Sequence, residues 1–263
     1  MPRPFWRIEA TFEHAGQTYA ATWFDPAFEA GADEEARDDR IFDEARAQEI
    51  LARARSGDGS ASETRKPSRE SAPPLFDLTS LQREANSRFG FSAKATLGLA
   101  QALYERHKVL TYPRTDSRAL PEDYISTVKK AVELLKDSRD YTNFAASILG
   151  NGWIRPNKRV FNNAKVSDHF AIIPTLQLPK HLNEPEQKIY DLVVRRFLAV
   201  FFPAAEYLQT TRITHVEDHQ YRTEGRILQN PGWLAIYGRS AQDRKSTRLN
   251  SSHMSESRMP SSA

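Results

Sequence analysis

The hydrophobic period of this chain changes twice, and that order limits its folds more than any other feature. Trp6, Ile8, Ala10 and Phe12 alternate with Arg7, Glu9, Thr11 and Glu13, the mark of a half-buried strand, and Thr18 to Phe24 reads as its hairpin partner across Ala15-Gly16. A charged helix over Asp43–Arg55 stops at Ser56-Gly57, and the polar stretch from Gly57 to Pro74 reads as loop or edge strand. From Thr79 the period becomes helical. Thr79 with Gln82 gives a capping-box pattern for a helix that stops at Gly90. Ser92 caps a second helix, with Leu99, Leu103 and Tyr104 on its apolar face, ending near His107. Pro121 opens a third with Ile125, Val128, Val132 and Leu135 in phase. Asn183 and Glu186 bracket the start of a fourth, striped by Ile189, Leu192, Val193, Phe197 and Val200 and ended by Pro203. Strand patterns return at Tyr207–Val216 and Tyr221–Leu228. A turn at Pro231-Gly232-Trp233 and a short strand pattern over Trp233–Tyr237 follow. The order predicts an α+β protein: a β-rich unit over 1–77 and 204–242, with a helical unit over 78–203 inserted into it.

Composition narrows the setting. With 263 residues and 39% apolar content the chain can bury a core, and it has no cysteine for disulfides or thiolate metal sites. It has no apolar run of membrane-spanning length and no apolar leader after Met1, so a cytoplasmic protein with no membrane partner is expected. The net charge of +3 says little about nucleic acid. Residues 243–263 resemble a translated sequencing adapter and are expected to be a non-native, disordered tail. They hold four Lys/Arg and two Asp/Glu, which leaves 33 basic against 32 acidic residues elsewhere, a net of +1. Local charge says more. Leu81 to Arg118 carries seven Lys/Arg against three Asp/Glu, whereas Asp25 to Glu49 carries ten acids against three arginines and would repel phosphate.

The basic stretch contains Leu110-Thr111-Tyr112-Pro113-Arg114-Thr115-Asp116-Ser117, between two helical patterns. A phenol is a poor nucleophile at neutral pH, with an ordinary pKa of about 10. A guanidinium beside it stays charged and grips phosphate with planar donors, so the pair suits attack on a phosphodiester. On the octapeptide alone, a surface turn with Arg114 bridged to Asp116 accounts for the same residues.

The surroundings decide between these. Leu81-Gln82-Arg83-Glu84-Ala85, Phe89-Gly90-Phe91-Ser92-Ala93, Ala100-Gln101-Ala102-Leu103-Tyr104-Glu105, the octapeptide and Leu120-Pro121 together resemble the active-site segment of type IA DNA topoisomerases, most closely the topoisomerase III branch. Asp168-His169-Phe170-Ala171-Ile172-Ile173-Pro174-Thr175 is similar to the family's His-x-Ala-Ile-x-Pro-Thr element. The resemblance covers nearly all of residues 1–240. It implies a helical domain framed by a β-rich arch, part of a toroidal DNA gate. Tyr112 would be the nucleophile that holds the 5′ phosphoryl end of single-stranded DNA, and Arg114 would neutralise the scissile phosphate. His169 would contact the DNA backbone, with Asp168 available to orient its ring. Thr111, Thr115 and Asp116 would line the pocket, and Gln101 and Glu105, one helical turn apart, would point toward it. Family enzymes exchange one phosphodiester for another without ATP, and no Gly-x-x-x-x-Gly-Lys-Ser/Thr loop occurs here. They use magnesium held by an Asp-x-Asp-x-Glu cluster of a TOPRIM domain. No Asp-x-Asp occurs in this sequence, so the chain reads as an internal fragment whose metal-binding TOPRIM partner belongs to the same longer polypeptide.

Other tyrosine-using DNA enzymes fit less well. There is no His-x-His relaxase motif. The His-x-x-Arg spacing of a recombinase occurs only at His219–Arg222, after Tyr112 rather than before it. A module that binds single-stranded DNA without cutting it, through basic residues and Phe89, Phe91 and Tyr104, is the alternative from a different class.

Overall fold

The computed structural model describes residues 3–14, 16–54 and 58–238. The expected tail, 243–263, lies outside the described residues. Those within 1–68 and 207–229 form one compact unit, and those within 69–206 and 230–242 another.

The first unit is built on antiparallel pairing. β1 (Glu9–His14) and β2 (Gln17–Phe24) form a hairpin in which Phe12 faces Tyr19 and Ala10 faces Ala21. β3 (Gly59–Glu70), β4 (Ala205–Val216) and β5 (His219–Asn230) complete a five-stranded sheet in the order β1-β2-β5-β4-β3. Ile8, Ala21, Trp23, Val216 and Tyr221 from this sheet region close over Ile41, and over Ala47 and Ile50 of α1 (Glu44–Ala54), which gives the unit its core. The alternation read from the sequence is the alternation that buries. Trp6 is the exception: it is 44% exposed and only bridges to Ile41. β3 settles the loop-or-strand alternative. It is a regular edge strand, exposed along nearly its whole length and carrying Lys66 and Pro67, residues that discourage further pairing.

The second unit packs helices around one that is buried on almost every side. α2 (Leu78–Phe89), α3 (Ala93–Glu105), α4 (Ile125–Leu135) and α5 (Thr142–Gly150) precede α6 (Glu184–Ala199). The expected stripe on α6 is too narrow. Tyr190, Val194, Leu198 and even Arg196 are buried as well, because α2, α3 and α5 all pack against this helix. Its Asn183/Glu186 capping box is present as read.

Three local readings are corrected. The cap of α2 is Asp77, not Thr79. The Asp77 carboxylate accepts from the Ser80 amide at 2.7 Å and from Arg118 Nε at 2.9 Å, so the helix starts where that charge is satisfied from both sides. α5 was not anticipated: its sequence carries no side-chain cap. Residues 232–237 form a 3₁₀ turn rather than a strand. Gly232 adopts φ +48° there, and a Cβ would sit on the carbonyl oxygens of Pro203 and Ala204.

Candidate active site

The loop after α3 is irregular in backbone but fixed in position. Lys108 reverses the chain at φ +55°, in the left-handed region that non-glycine residues seldom enter. The Leu103 carbonyl at the end of α3 accepts the amides of Val109 at 2.9 Å and Leu110 at 3.4 Å, holding the loop entry beside the helix. Beyond it the loop alternates like a strand. Pro113, Thr115, Ser117 and Ala119 are buried, while Arg114, Asp116 and Arg118 are exposed.

The burial is against the second sequence block. Thr111 donates its amide to the Ile173 carbonyl at 3.0 Å and its hydroxyl to the Ala171 carbonyl at 3.0 Å, and accepts the Ile173 amide at 2.9 Å. Thr115 donates its hydroxyl to the His169 carbonyl at 3.0 Å and accepts the Ser117 amide at 3.1 Å. The Ser117 hydroxyl donates to the Lys165 carbonyl at 2.7 Å, and the Thr175 hydroxyl to the Lys108 carbonyl at 2.7 Å. The start of α2 joins this assembly: the Leu78 amide donates to the Thr115 carbonyl at 3.0 Å, and the Ile172 amide to the Phe76 carbonyl at 2.8 Å. Two motifs more than fifty residues apart are thereby brought to one place. The hydroxyls of Thr111 and Thr115, expected to line a DNA pocket, are already engaged in holding the two segments together.

Tyr112 lies half-buried between two rings. Tyr104 meets it edge-on at 5.4 Å between centroids and 78° between planes, and His169 lies 4.3 Å away at 44°. His169 sits in a bend. Among the described residues no hydrogen bond joins it to Asp168, so its ring is placed by packing on Tyr112 instead. Arg114 is exposed, and its Nη2 donates to Gln101 Oε1 at 3.4 Å; Gln101 Nε2 donates in turn to Glu105 Oε1 at 3.0 Å. Arg114 forms no ion pair with Asp116 among the described residues. Asp116 accepts from the Ser167 hydroxyl at 3.2 Å instead. Gln101 therefore touches Arg114 of the tyrosine loop directly, and Glu105 reaches it through Gln101.

Four other phenols of this unit make poor nucleophiles. Burial pushes the hydroxyl pKa values of Tyr124, Tyr141, Tyr190 and Tyr237 up, helped at Tyr124 by Asp123 and at Tyr141 by Asp191. Tyr112 combines access with an adjoining guanidinium. A metal finds no comparable provision. Among the described residues no three His, Cys, Asp or Glu side chains come together, whereas a magnesium ion needs several oxygen donors. The groups around Tyr112 do not fit that ion, and the chemistry below uses the chain's own side chains.

A tyrosine and an arginine sit on a loop fixed by a His-bearing segment, in an α+β frame. A family model described as DNA topoisomerase matches residues 1–260, and the chain belongs to that family. It is 38% identical over 245 residues to DNA topoisomerase 3 of Bacillus subtilis (strain 168), covering 92% of this chain and 32% of the relative. It is 47% identical over 175 residues to DNA topoisomerase 3 of Bacillus licheniformis, covering 65% and 24%. These relatives make it topoisomerase III-like, and it spans a third or less of their length. The fold is shared with full-length topoisomerase I from Thermotoga maritima at a TM-score of 0.55 and 21% identity, over 94% of this chain and 38% of that one. Among the described residues no helix is long and apolar enough to cross a membrane.

By its sequence, Tyr104 falls on an apolar helix face and enters only the alternative of a non-cutting DNA-binding module, not the cleavage site. Its spacing from Gln101, at i+3 on the same helix face, was the available signal.

Proposed function

We propose that this chain supplies the nucleophile half of a DNA strand-cleaving and rejoining site. Tyr112 Oη attacks a backbone phosphorus of single-stranded DNA. The new O–P bond replaces the bond to the 3′ oxygen, which leaves as a hydroxyl after taking up a proton, while the phenol gives its proton up. The 5′ phosphoryl end stays on Tyr112 until the 3′ hydroxyl attacks in reverse, so one phosphodiester is exchanged for another and ATP is not needed. Arg114 faces solvent next to Tyr112 and is suited to balance charge growing on the phosphoryl oxygens. His169, Asp116, Gln101 and Glu105 border the same place and would meet the backbone on either side. Thr111 and Thr115 act by holding the loop. Magnesium would be brought by residues outside those described here, such as a TOPRIM domain of a longer polypeptide, and DNA in the nucleoid would be the place of action. In this reading the helical unit is a domain set into a β-rich arch.

The observation that carries this is the placement of Tyr112 beside Arg114, in a loop locked to the His169 segment, within a chain that the DNA topoisomerase family model matches over residues 1–260. The test is a chimera of Bacillus subtilis DNA topoisomerase 3 whose matched region is exchanged for this chain. With magnesium it should form a covalent adduct with single-stranded DNA, and Tyr112→Phe should abolish the adduct while leaving salt-sensitive DNA binding intact. An adduct that persists in the Phe variant refutes the assignment. Binding with no adduct in the parent chimera makes the segment a binding module.

A further inference from the structure

We propose that Tyr104 is a positioning residue for the nucleophile, holding the Tyr112 phenol in its attacking orientation. The proposal rests on Tyr112 being that nucleophile. Three observations carry it. Tyr104 meets the Tyr112 ring at 78° and 5.4 Å, an edge-to-face geometry that aromatic pairs favour. Tyr104 is 37% exposed on the solvent side of α3, where burial alone does not call for a large ring. Its helix is fixed along the adjoining face by Thr96, Ala100 and Leu103, all fully buried, and the Leu103 carbonyl ties down the loop entry. The ring therefore stands on a rigid element beside a tethered loop, which is the arrangement that makes a side chain a stop rather than a passenger.

His169 also lies against Tyr112 at 4.3 Å, so the phenol sits in a slot bounded by two rings. Tyrosine has two soft side-chain torsions, and a slot of this kind removes the freedom of both. The same helical turn also serves the cation: Gln101, three residues before Tyr104, accepts from Arg114 Nη2. One face of α3 thus sets both the attacking oxygen and the guanidinium. Reacting groups held in register raise a rate without tightening binding, and a misplacement of about 1 Å can cost about 10²-fold. The edge contact belongs to the ring and not to its hydroxyl, so phenylalanine should replace Tyr104 and leucine should not.

The experiment has two arms. In this chain, with ¹³C-labelled tyrosine rings and the Tyr112 signals assigned by loss in Tyr112→Phe, NMR reads the ring-current shift and rotamer averaging of Tyr112. Tyr104→Leu should remove the shift and average the rotamers, and Tyr104→Phe should preserve both. In the chimera, Tyr104→Leu should slow adduct formation by up to about 10²-fold with single-stranded DNA affinity unchanged, and Tyr104→Phe should restore the rate. A Tyr112 ring that stays ordered in Tyr104→Leu overturns the proposal. So does a rate that falls only as affinity falls, since that would make Tyr104 a DNA contact. If the parent chimera forms no adduct, the functional reading fails, and the NMR arm alone decides whether Tyr104 orients Tyr112.

Discussion

β3 and the loop from Lys108 to Leu120 invert the usual relation between regular backbone and fixed structure. β3 is a regular twelve-residue strand, yet its side chains face water nearly throughout, with exposed pairs such as Arg65–Glu63 at 3.1 Å. The loop has no ladder of its own, yet every second residue from Pro113 to Ala119 is buried and its hydroxyls are committed to a segment far along the chain. A site that must hold a phenol and a guanidinium in register needs tethered groups, and tertiary hydrogen bonds supply that where secondary structure does not. Chemistry accordingly belongs on the loop, and β3 should tolerate change.

The largest stability effect should come from the anchor below the loop. Glu186 is buried, accepts the Asn183 amide at 3.1 Å, pairs with Arg106, and lies 3.2 Å from His107 Nε2, all at the junction of α3 and α6. Glu186→Ala removes the carboxylate shared by Arg106 and His107 and the reciprocal half of the α6 capping box, and should cost about 2–4 kcal/mol in a denaturant titration. Burial works to raise the Glu186 pKa, but the Asn183 amide and the charges of Arg106 and His107 outweigh it and hold the carboxyl below its ordinary 4.5. The sign follows: this stabilisation is complete above about pH 4.5 and is lost as pH falls through the lowered value. Stability that stays flat down to pH 2 in the wild type, measured by urea unfolding, would mean the pair is idle.

Arg114→Lys sharpens the comparison at the chemical step. The charge is kept and the planar fork is lost, so adduct formation in the chimera should slow by about 10²–10³ while DNA binding changes far less. Equal losses in both would reduce Arg114 to a plain phosphate anchor. Thr115→Val then removes the hydroxyl shared between the His169 carbonyl and the Ser117 amide, and should cost about 1–3 kcal/mol in the same titration. The smallest effect belongs to β3. Arg65→Ala on the exposed edge should shift stability by no more than about 0.5 kcal/mol. If it costs as much as Thr115→Val, the contrast between the two regions fails.

Elements whose signals are local were legible in the sequence. The Asn183/Glu186 box, the Ser92 cap and the Gly90 stop, with its left-handed φ of 70°, sit where pattern and propensity agree. Misreadings came where a distant partner decides. Asp77 wins the cap of α2 because Arg118, forty-one residues on, shares its charge. α6 is buried on almost every side because three other helices lie against it. The site divides in the same way. Tyr112, Arg114 and His169 were marked by residue type and motif. Only the fold reveals that Thr111 and Thr115 tie segments together, that Gln101 and Glu105 line up behind Arg114, and that Tyr104 flanks the phenol.

The central claim is that Tyr112, and no other group of this chain, takes the phosphoryl end. The most direct measurement is to trap the chimera on single-stranded DNA with magnesium, digest it with protease and nuclease, and map the adduct by mass spectrometry. The account predicts a nucleotide joined through its 5′ phosphate to the peptide that contains Tyr112, at the phenolic oxygen. A nucleotide on Tyr104, Tyr124 or any other side chain would contradict it.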